Sequence, residues 1–190
     1  MSGAKRHMIG AACFDLECSS LQADFGIILA AVVKTPFGKP KIYRADKLNP
    51  NWSKRRSDDS AVVKAVADEL RKYDILVAHN GVDFDLPFLR TRLMINHLEP
   101  LPEFKVVDPV KIARKNLRLS SNRLARIASM LGVNQKKAVE GPVWMKAILD
   151  GDRKAMDQIV DKCVSDVATL EAIVDYLKPY TSMFNSWGSA

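Results

Sequence analysis

The stretch CFDLECSS, residues 13–20, sets two acids at the end of an apolar segment and decides how the chain is interpreted. The apolar segment is typical of a buried strand. Residues i and i+2 of a strand point to the same side, so Asp15 and Glu17 are predicted to share one face of a sheet. Carboxylates are seldom buried unless another group pairs with them. These two acids therefore mark a candidate site.

Two further stretches each add one acid in apolar surroundings. AHNGVDFDLPFL, residues 78–89, places Asp85 in the first turns of a helix that follows directly from a strand. IVDKCVSDVATLEAIV, residues 159–174, has the spacing of a helix with one buried face, and Asp166 falls on that face. Such acids would repel one another unless cations lay between them.

The four acids predict a cofactor and a class of reaction. Oxygen ligands of this kind suit Mg²⁺ or Mn²⁺. Two such ions held close together are the usual apparatus for hydrolysing phosphodiester bonds. We therefore expect Asp15, Glu17, Asp85 and Asp166 to hold two divalent ions.

The composition is that of one globular domain. The chain has 190 residues, of which 47% are hydrophobic and 27% charged, and no linker divides it. We expect a single domain over residues 1–190, with a core at about 9–179 and a C-terminal tail at 180–190. The apolar runs are too short to cross a membrane, and the N-terminus lacks the pattern of a signal peptide. Three sparse cysteines suit a reducing compartment, so a cytoplasmic protein, or a phage protein acting in the host cytoplasm, is expected.

The order of the predicted elements indicates an α/β fold. Three strands come first, helices and strands then alternate, and the chain ends in helices, which predicts a mixed sheet with helices packed on it. Asp58, Asp59 and Ser60 are expected to cap the first of these helices. The predicted strands cover residues 9–14, 25–34, 41–44, 75–78 and 104–107, and the later helices begin near residues 83, 120, 142 and 153.

The positive charge is concentrated in one part of the chain. The net charge is +7, and residues 109–139 contain no acid. Eight basic residues fall in that stretch, which leaves a net charge of −1 for the rest, since +7 minus 8 is −1. Such asymmetry favours a surface that binds nucleic-acid phosphates, although a solvated surface is the alternative. The eight are Lys111, Arg114, Lys115, Arg118, Arg123, Arg126, Lys136 and Lys137.

The order of the acidic motifs resembles the DEDD, or DnaQ-like, superfamily of 3′–5′ exonucleases. The resemblance rests on Asp-x-Glu at 15–17, His-Asn-Gly-x-x-Phe-Asp-x-Pro-Phe-Leu at 79–89 and Cys-x-x-Asp-Val at 163–167. The chain looks most like the stand-alone YprB-like, or predicted ribonuclease H-like, exonuclease branch. The resemblance implies a ribonuclease H-like fold and hydrolysis of phosphodiester bonds at the 3′ ends of nucleic acid, with single-stranded DNA expected over RNA.

The resemblance also assigns roles to the four acids. By it, Asp15 would bridge both metal ions. Glu17 and Asp166 would complete the site of the ion that activates water, and Asp85 would serve the second ion.

Contacts with nucleic acid are expected at several places. By the resemblance, Asn80 would lie in the floor of the site and the 3′-terminal nucleotide would lie against Leu16. Residues 51–59 combine Trp52 with Arg55 and other basic residues, which suits base stacking and phosphate binding, although a solvated loop is the alternative. The contacts expected from the basic stretch are Arg114, Lys115, Arg118 and Arg123.

One position departs from the family pattern. The superfamily usually has a tyrosine four residues before the last acid, or a histidine five before it, whereas this chain has Lys162 and Asp161 there. A lysine with an ordinary pKa of about 10.4 is protonated at neutral pH and cannot accept a proton from water. Lys162 is instead expected to balance the acids, orient the attacking water or contact the scissile phosphate.

Three functions stay open at this point. The first is the metal-dependent 3′–5′ exonuclease. The second is a nucleic-acid-binding module of the same fold whose chemistry has weakened at Lys162. The third is a structure-specific endonuclease, because ribonuclease H-like folds host several such activities. The intact set of acids favours an enzyme.

Overall fold

The computed structural model describes residues 10–135 and 138–182. Lys136 and Lys137 of the basic stretch lie outside this part, as does most of the expected C-terminal tail. The limits expected for the domain core and tail therefore stay predictions.

A five-stranded mixed sheet forms the centre of the molecule. Its order is β3-β2-β1-β4-β5, with β1 paired antiparallel to β2 and parallel to β4. β3 is antiparallel to β2, and β5 is parallel to β4. β1 is thus the central strand, where the sheet changes from antiparallel to parallel. The strands are β1 (Ala11–Cys18), β2 (Ile28–Lys34), β3 (Lys41–Arg44), β4 (Ile75–Val77) and β5 (Lys105–Val107).

Seven α-helices lie in the described part of the chain. A π-helical turn, Lys146–Asp150, and a 3₁₀ turn, Lys178–Tyr180, precede and follow the last of them. Within the described residues, no helix is both long enough and apolar enough to span a membrane. The helices are α1 (Ala45–Leu48), α2 (Ser60–Leu70), α3 (Asp85–Ile95), α4 (Pro109–Asn116), α5 (Leu124–Met130), α6 (Gly141–Met145) and α7 (Arg153–Leu177).

Helices cover both faces of the sheet. On one face, α2 and α3 bury a core that includes Phe14 and Leu16 of β1. On the other face, α4, α5 and most of α7 bury a second core that includes Cys13. Alternate residues of β1 therefore enter opposite cores, as the two-residue period of a strand requires. The expected α/β fold, a mixed sheet flanked by helices in a single domain, is confirmed.

The central strand is longer than the sequence predicts. β1 runs to Cys18 instead of ending at residue 14, because antiparallel pairing with β2 continues beyond the apolar segment. Asp15 and Glu17 consequently lie inside a strand. β2 begins later than expected, at Ile28, because residues 19–27 form a turn that the Ser19 amide closes by donating to the Ile27 carbonyl at 2.9 Å.

One of the two acids expected to cap α2 has a different role. Asp58 accepts hydrogen bonds from the amide and hydroxyl of Ser60, as expected of a cap. Asp59 makes no cap hydrogen bond and lies buried, with 1% of its surface exposed. Its carboxylate accepts two hydrogen bonds from the Arg92 guanidinium, at 2.9 and 2.8 Å, and one from the Ile28 amide at 2.9 Å. Asp59 therefore joins α2, α3 and β2 through a buried ion pair that local sequence patterns do not reveal.

Replacing Arg92 by methionine should destabilise the fold severely. Asp59 would stay buried without its charged partner. Removal of one partner of a buried ion pair lowers the free energy of unfolding by about 3–5 kcal/mol. Chemical denaturation of wild type and Arg92→Met measures the difference in the free energy of unfolding. Lys64→Met is the matched control, because its partner Asp68 is exposed and such a pair contributes less than about 1 kcal/mol. Equal losses in the two variants would contradict the role given to Asp59.

Candidate functional site

Asp15 and Glu17 project from β1 on the face that α7 covers. They share this side with Cys13, whose side chain belongs to the core beneath α7. Glu17 is buried and Asp15 is half-buried. The pairing of β1 with β2 shifts between Glu17 and Cys18, and bulges of this kind often re-aim side chains near functional sites. The expectation that the two acids share one face agrees with this geometry.

Asp85 reaches the same strand from the start of α3. Pairing between β1 and β4 ends at Cys13 and Val77, and in the described part of the chain no other strand pairs with the rest of β1 on that side. The Leu16 amide instead donates to Asp85 Oδ1 at 3.0 Å. The buried Asp85 carboxylate thus accepts a hydrogen bond that a neighbouring strand would otherwise accept. It lies beside Leu16, which separates Asp15 from Glu17.

Asp108 holds the segment that leads to Asp85. Its carboxylate accepts hydrogen bonds from the amides of Asn80 and Val82, and also from Val110 in the first turn of α4. Asp108 is therefore a structural cap that fixes the turn after β4 to the helix after β5. Asp83 lies on the surface, where Lys111 donates to it at 2.9 Å.

Asp166 joins the acids through Lys162. The Lys162 ammonium donates to Glu17 Oε1 at 2.6 Å and to Asp166 Oδ2 at 2.8 Å. Lys162 therefore bridges the central strand and α7, as expected of a residue that balances the acids. Asp166 is half-buried instead of buried, because Cys163 and Val167 form the buried face of this turn and Asp166 lies at its border.

The acids shift one another's protonation. Burial raises the pKa of Glu17 to about 7, although the Lys162 ammonium opposes the shift. Burial also raises the pKa of Asp85 to about 7, against the hydrogen bond from the Leu16 amide. The pKa of Asp15 lies well above its usual value because of burial and the charges of Asp85 and Glu17. The charges of the acids outweigh burial at Lys162 and raise its pKa, so its side chain stays cationic. Burial and the neighbouring acids therefore outweigh the charge of Lys162 at Asp15 and Glu17.

Part of the expected donor set lies close enough together to share a divalent cation: Asp15 and Glu17 belong to one group of neighbouring ligand atoms, whereas Asp85 and Asp166 are not in that group. Ligand atoms of Asp15, Glu17 and Cys163 lie within 4.8 Å of one another. Carboxylate oxygens are the ligands that Mg²⁺ and Mn²⁺ prefer. Burial raises the pKa of the Cys163 thiol, which contacts the Asp15 carbonyl oxygen at 3.4 Å, so Cys163 is a neutral core group. The helical spacing of Cys163 predicts only a position in the core. Its proximity to Asp15 follows from the packing of α7 on β1.

The residues expected to contact nucleic acid lie in different environments. Trp52 was expected to stack on bases, and the structure corrects this, because its side chain is only 8% exposed and packs in the core beneath α2. Arg55, in the same loop, is exposed. The Leu16 side chain is buried, so only the backbone of that residue borders the acids.

The basic stretch separates into two groups. Arg114, Lys115, Arg118 and Arg123 are all exposed. Arg114 and Arg123 line one pocket together with Asn80, whereas Lys115 and Arg118 are not among the residues that line it. The sequence shows a run of basic residues, and only the fold determines which of them line the same pocket.

Comparison with known proteins agrees with this architecture. In solved structures, the chain is similar to the family B DNA polymerase from the hyperthermophilic archaeon Pyrobaculum calidifontis, with a TM-score of 0.72 and 19% sequence identity. The match covers 89% of this chain and 24% of the polymerase chain, so it concerns a fold shared with a small part of a larger protein. Among curated proteins, none matches this chain.

A family model gives the assignment. The model of the RNase_H superfamily matches residues 12–178, which include nearly all of β1, all four acids and the whole of α7. The central strand with its two acids, the acid at the start of α3 and the acid in α7 all lie inside the matched region. The chain therefore has a nuclease-type fold and belongs to the RNase_H superfamily.

Proposed function

We propose that this protein is a metal-dependent 3′–5′ exonuclease that removes nucleotides from the 3′ ends of nucleic acid, with single-stranded DNA favoured over RNA. The observation that carries the proposal is the convergence of carboxylates from β1, α3 and α7 around Leu16 and Lys162. Membership of the RNase_H superfamily supports it, because the fold is of a nuclease type. The order of the acidic motifs, which resembles the DEDD exonucleases, supports the direction of cleavage.

The four acids would hold two divalent ions, Mg²⁺ or Mn²⁺. Asp15, Glu17, Asp85 and Asp166 would supply the carboxylate oxygens. Burial raises the pKa values of Asp15, Glu17 and Asp85, and a bound cation would oppose that shift. When bound, such ions lower the pKa of the attacking water and stabilise the leaving oxygen.

The reaction is hydrolysis of the last phosphodiester bond. The water oxygen bonds to phosphorus, the bond from phosphorus to the 3′ oxygen of the preceding nucleotide breaks, and that oxygen takes up a proton. Lys162 can donate a hydrogen bond to the water or to a phosphate oxygen. As an ammonium it cannot remove the proton of the water, so that proton passes to another acceptor.

A second candidate function is a nucleic-acid-binding module that no longer cleaves. One observation favours it: the Lys162 ammonium pairs with two of the four carboxylates, where the related exonucleases have a water-orienting tyrosine or histidine. The two candidates differ in what Lys162 does, and variants of that residue separate them.

Addition of Mg²⁺ or Mn²⁺ should raise the melting temperature, since a ligand that binds only the folded state stabilises it. At a concentration of 100 times Kd, one ion contributes about 2.7 kcal/mol. Asp15→Asn should abolish both this rise and the shortening of a 5′-labelled strand from its 3′ end. Asp83→Asn is the control, because Asp83 is an exposed acid two residues from Asp85 and should change neither measurement. Full activity in Asp15→Asn would refute the acid assignment, and a discrete internal cut would indicate an endonuclease.

The metal-free protein should lose stability as the pH rises from about 4.5 to 7. Glu17 and Asp85 have a pKa of about 7 in the folded chain and ordinary values near 4 when unfolded, so the folded state holds more protons in this window. Melting in EDTA across this range measures the loss, and Glu17→Gln should reduce it. Divalent ions bind the ionised acids, so their stabilising effect should be larger at pH 8 than at pH 6. A metal-free melting temperature that rises from pH 5 to 7 in wild type and Glu17→Gln alike would contradict this assignment.

Lys162→Ala should reduce turnover on single-stranded DNA by about 10²-fold or more, because a positioning group for water or phosphate is lost. The metal-dependent rise in melting temperature should remain. Lys162→Tyr restores the residue found in the related exonucleases and should support activity. The pH–rate profiles of wild type and both variants provide the measurement.

The outcomes of this experiment distinguish the two candidate functions. An inactive wild type that gains activity as Lys162→Tyr would identify the binding module. Equal rates for all three proteins at every pH would mean that Lys162 takes no part in the chemistry.

A further inference from the structure

A concave feature lies between the end of β4 and helices α4 and α5. It is a pocket of about 400 Å³. Two of its lining residues are arginines and none is an acid, so its electrostatic character is opposite to that of the carboxylate cluster. The residues that line it are His79, Asn80, Val110, Arg114, Ser121, Asn122, Arg123 and Leu124.

The two arginines are available to a ligand. Arg114 and Arg123 are both exposed, and neither forms an ion pair with a carboxylate in the part of the chain that the structure describes. Arg44, Arg71 and Arg92, in contrast, are each paired with an acid. A guanidinium presents several N–H donors in a fixed plane, which suits the oxygens of a phosphate.

The wall of the pocket contains polar groups without partners. In the described residues, two buried side-chain polar atoms lack a hydrogen bond, His79 Nδ1 and Asn122 Oδ1, and both residues line this pocket. The other ring nitrogen, His79 Nε2, donates to the Asn122 carbonyl oxygen at 2.9 Å and joins the two sides of the pocket. Because Nε2 carries the ring proton, both unpaired atoms are hydrogen-bond acceptors, which suit a donor such as water. Contact with phosphate oxygens is therefore left to the two arginines.

The pocket and the acid cluster share one segment of the chain. Asn80 adopts a left-handed backbone conformation with φ of 64°, and its amide is held by Asp108. Five residues later the chain reaches Asp85, so the backbones of Asn80 and Asp85 are at most about 18 Å apart. The Phe84 amide donates to the Asn80 carbonyl at 2.9 Å, so the part of the pocket wall formed by Asn80 lies one turn of the chain from Asp85. A strand with its end at the acids would need to extend only a few nucleotides to reach this pocket.

We propose that this pocket binds a backbone phosphate of the nucleic-acid strand whose 3′ end lies at the acid cluster, with Arg114 and Arg123 as the guanidinium ligands. The inference rests on the proposed function, because it takes a nucleic-acid strand as the substrate. It adds a fixed point that holds the strand a few nucleotides from the end that is cleaved.

Single neutral linkages can locate this contact. Binding is measured in the Asp15→Asn protein, which should not cut, with a short single-stranded DNA in which one phosphate at a time is replaced by a methylphosphonate. One position, or two neighbours, a few nucleotides from the 3′ end should lower affinity about tenfold or more, the usual effect of losing a hydrogen bond to a charged group.

The pocket variant should remove this sensitivity. Adding Arg114→Met and Arg123→Met should abolish the sensitivity at that position and reduce the slope of log affinity against log salt by about 0.7 for each phosphate that is no longer neutralised. Lys115→Met with Arg118→Met is the matched control, because it removes the same charge from neighbouring exposed residues that do not line the pocket. The control should weaken binding slightly and keep the sensitive position.

Three results would overturn the proposal. If the pocket variant and the control lose affinity equally at every position, the basic stretch is a diffuse electrostatic surface. If inorganic phosphate raises the melting temperature as strongly as the oligonucleotide and the pocket variant abolishes that effect, the pocket binds a free anion. If no strand binds, the proposed nucleic-acid substrate fails as well, whereas retained binding in a protein that never cleaves would overturn only the proposed catalysis.

Discussion

The position of two carboxylates on a strand buried on both faces is the constraint on which the rest of the site depends. Asp15 and Glu17 belong to β1, whose alternate residues enter the cores beneath α2 and beneath α7. Acids in such a place need compensating groups, because burial favours their neutral form. The Lys162 ammonium provides one positive charge, but burial and the neighbouring acids still raise the pKa values of Asp15 and Glu17. A cluster of this kind is suited to hold divalent cations.

Other acids hold the segments around this cluster in place. Asp108 accepts the amides of Asn80 and Val82 and caps α4, which fixes the turn from which α3 begins. Asp59 accepts hydrogen bonds from Arg92 in α3 and from the Ile28 amide at the start of β2. The carboxylate of Asp85 reaches Leu16 because Asp108 fixes the turn before α3 and Asp59 fixes α3 itself. Buried acids in this protein thus fix backbone segments, and in the proposed function others would supply the metal ligands.

The departure from the DEDD pattern at Lys162 has a structural explanation in this fold. A lysine one helical turn before Asp166 extends to both Asp166 and Glu17, which a tyrosine could not neutralise. The substitution exchanges a group that can orient and help deprotonate water for one that adds positive charge. The proposed chemistry therefore relies on the metal ions for activation of water, while the chain itself supplies their ligands and a fixed cation. A phosphate held by Arg114 and Arg123 would give the substrate strand a second point of attachment outside this crowded centre.

Local sequence patterns were sufficient to predict the fold class, because strand and helix periodicity report which face of each element is buried. They placed Asp166 on the buried face of α7, whereas it lies at the border of that face. They placed Asp15 and Glu17 on one face, Asp85 at the start of a helix and Asp166 in the last long helix, and these assignments depend only on local spacing. They could not reveal that Trp52 is buried or that Asp59 pairs with Arg92, since these contacts join residues remote in the chain. Nor could they separate Arg114 and Arg123 from Lys115 and Arg118, because exposed cations leave no periodic pattern. All of these points follow from the folded chain alone. For the arginines, the fold brings the ends of β4 and β5 and the start of α5 to one edge of the sheet.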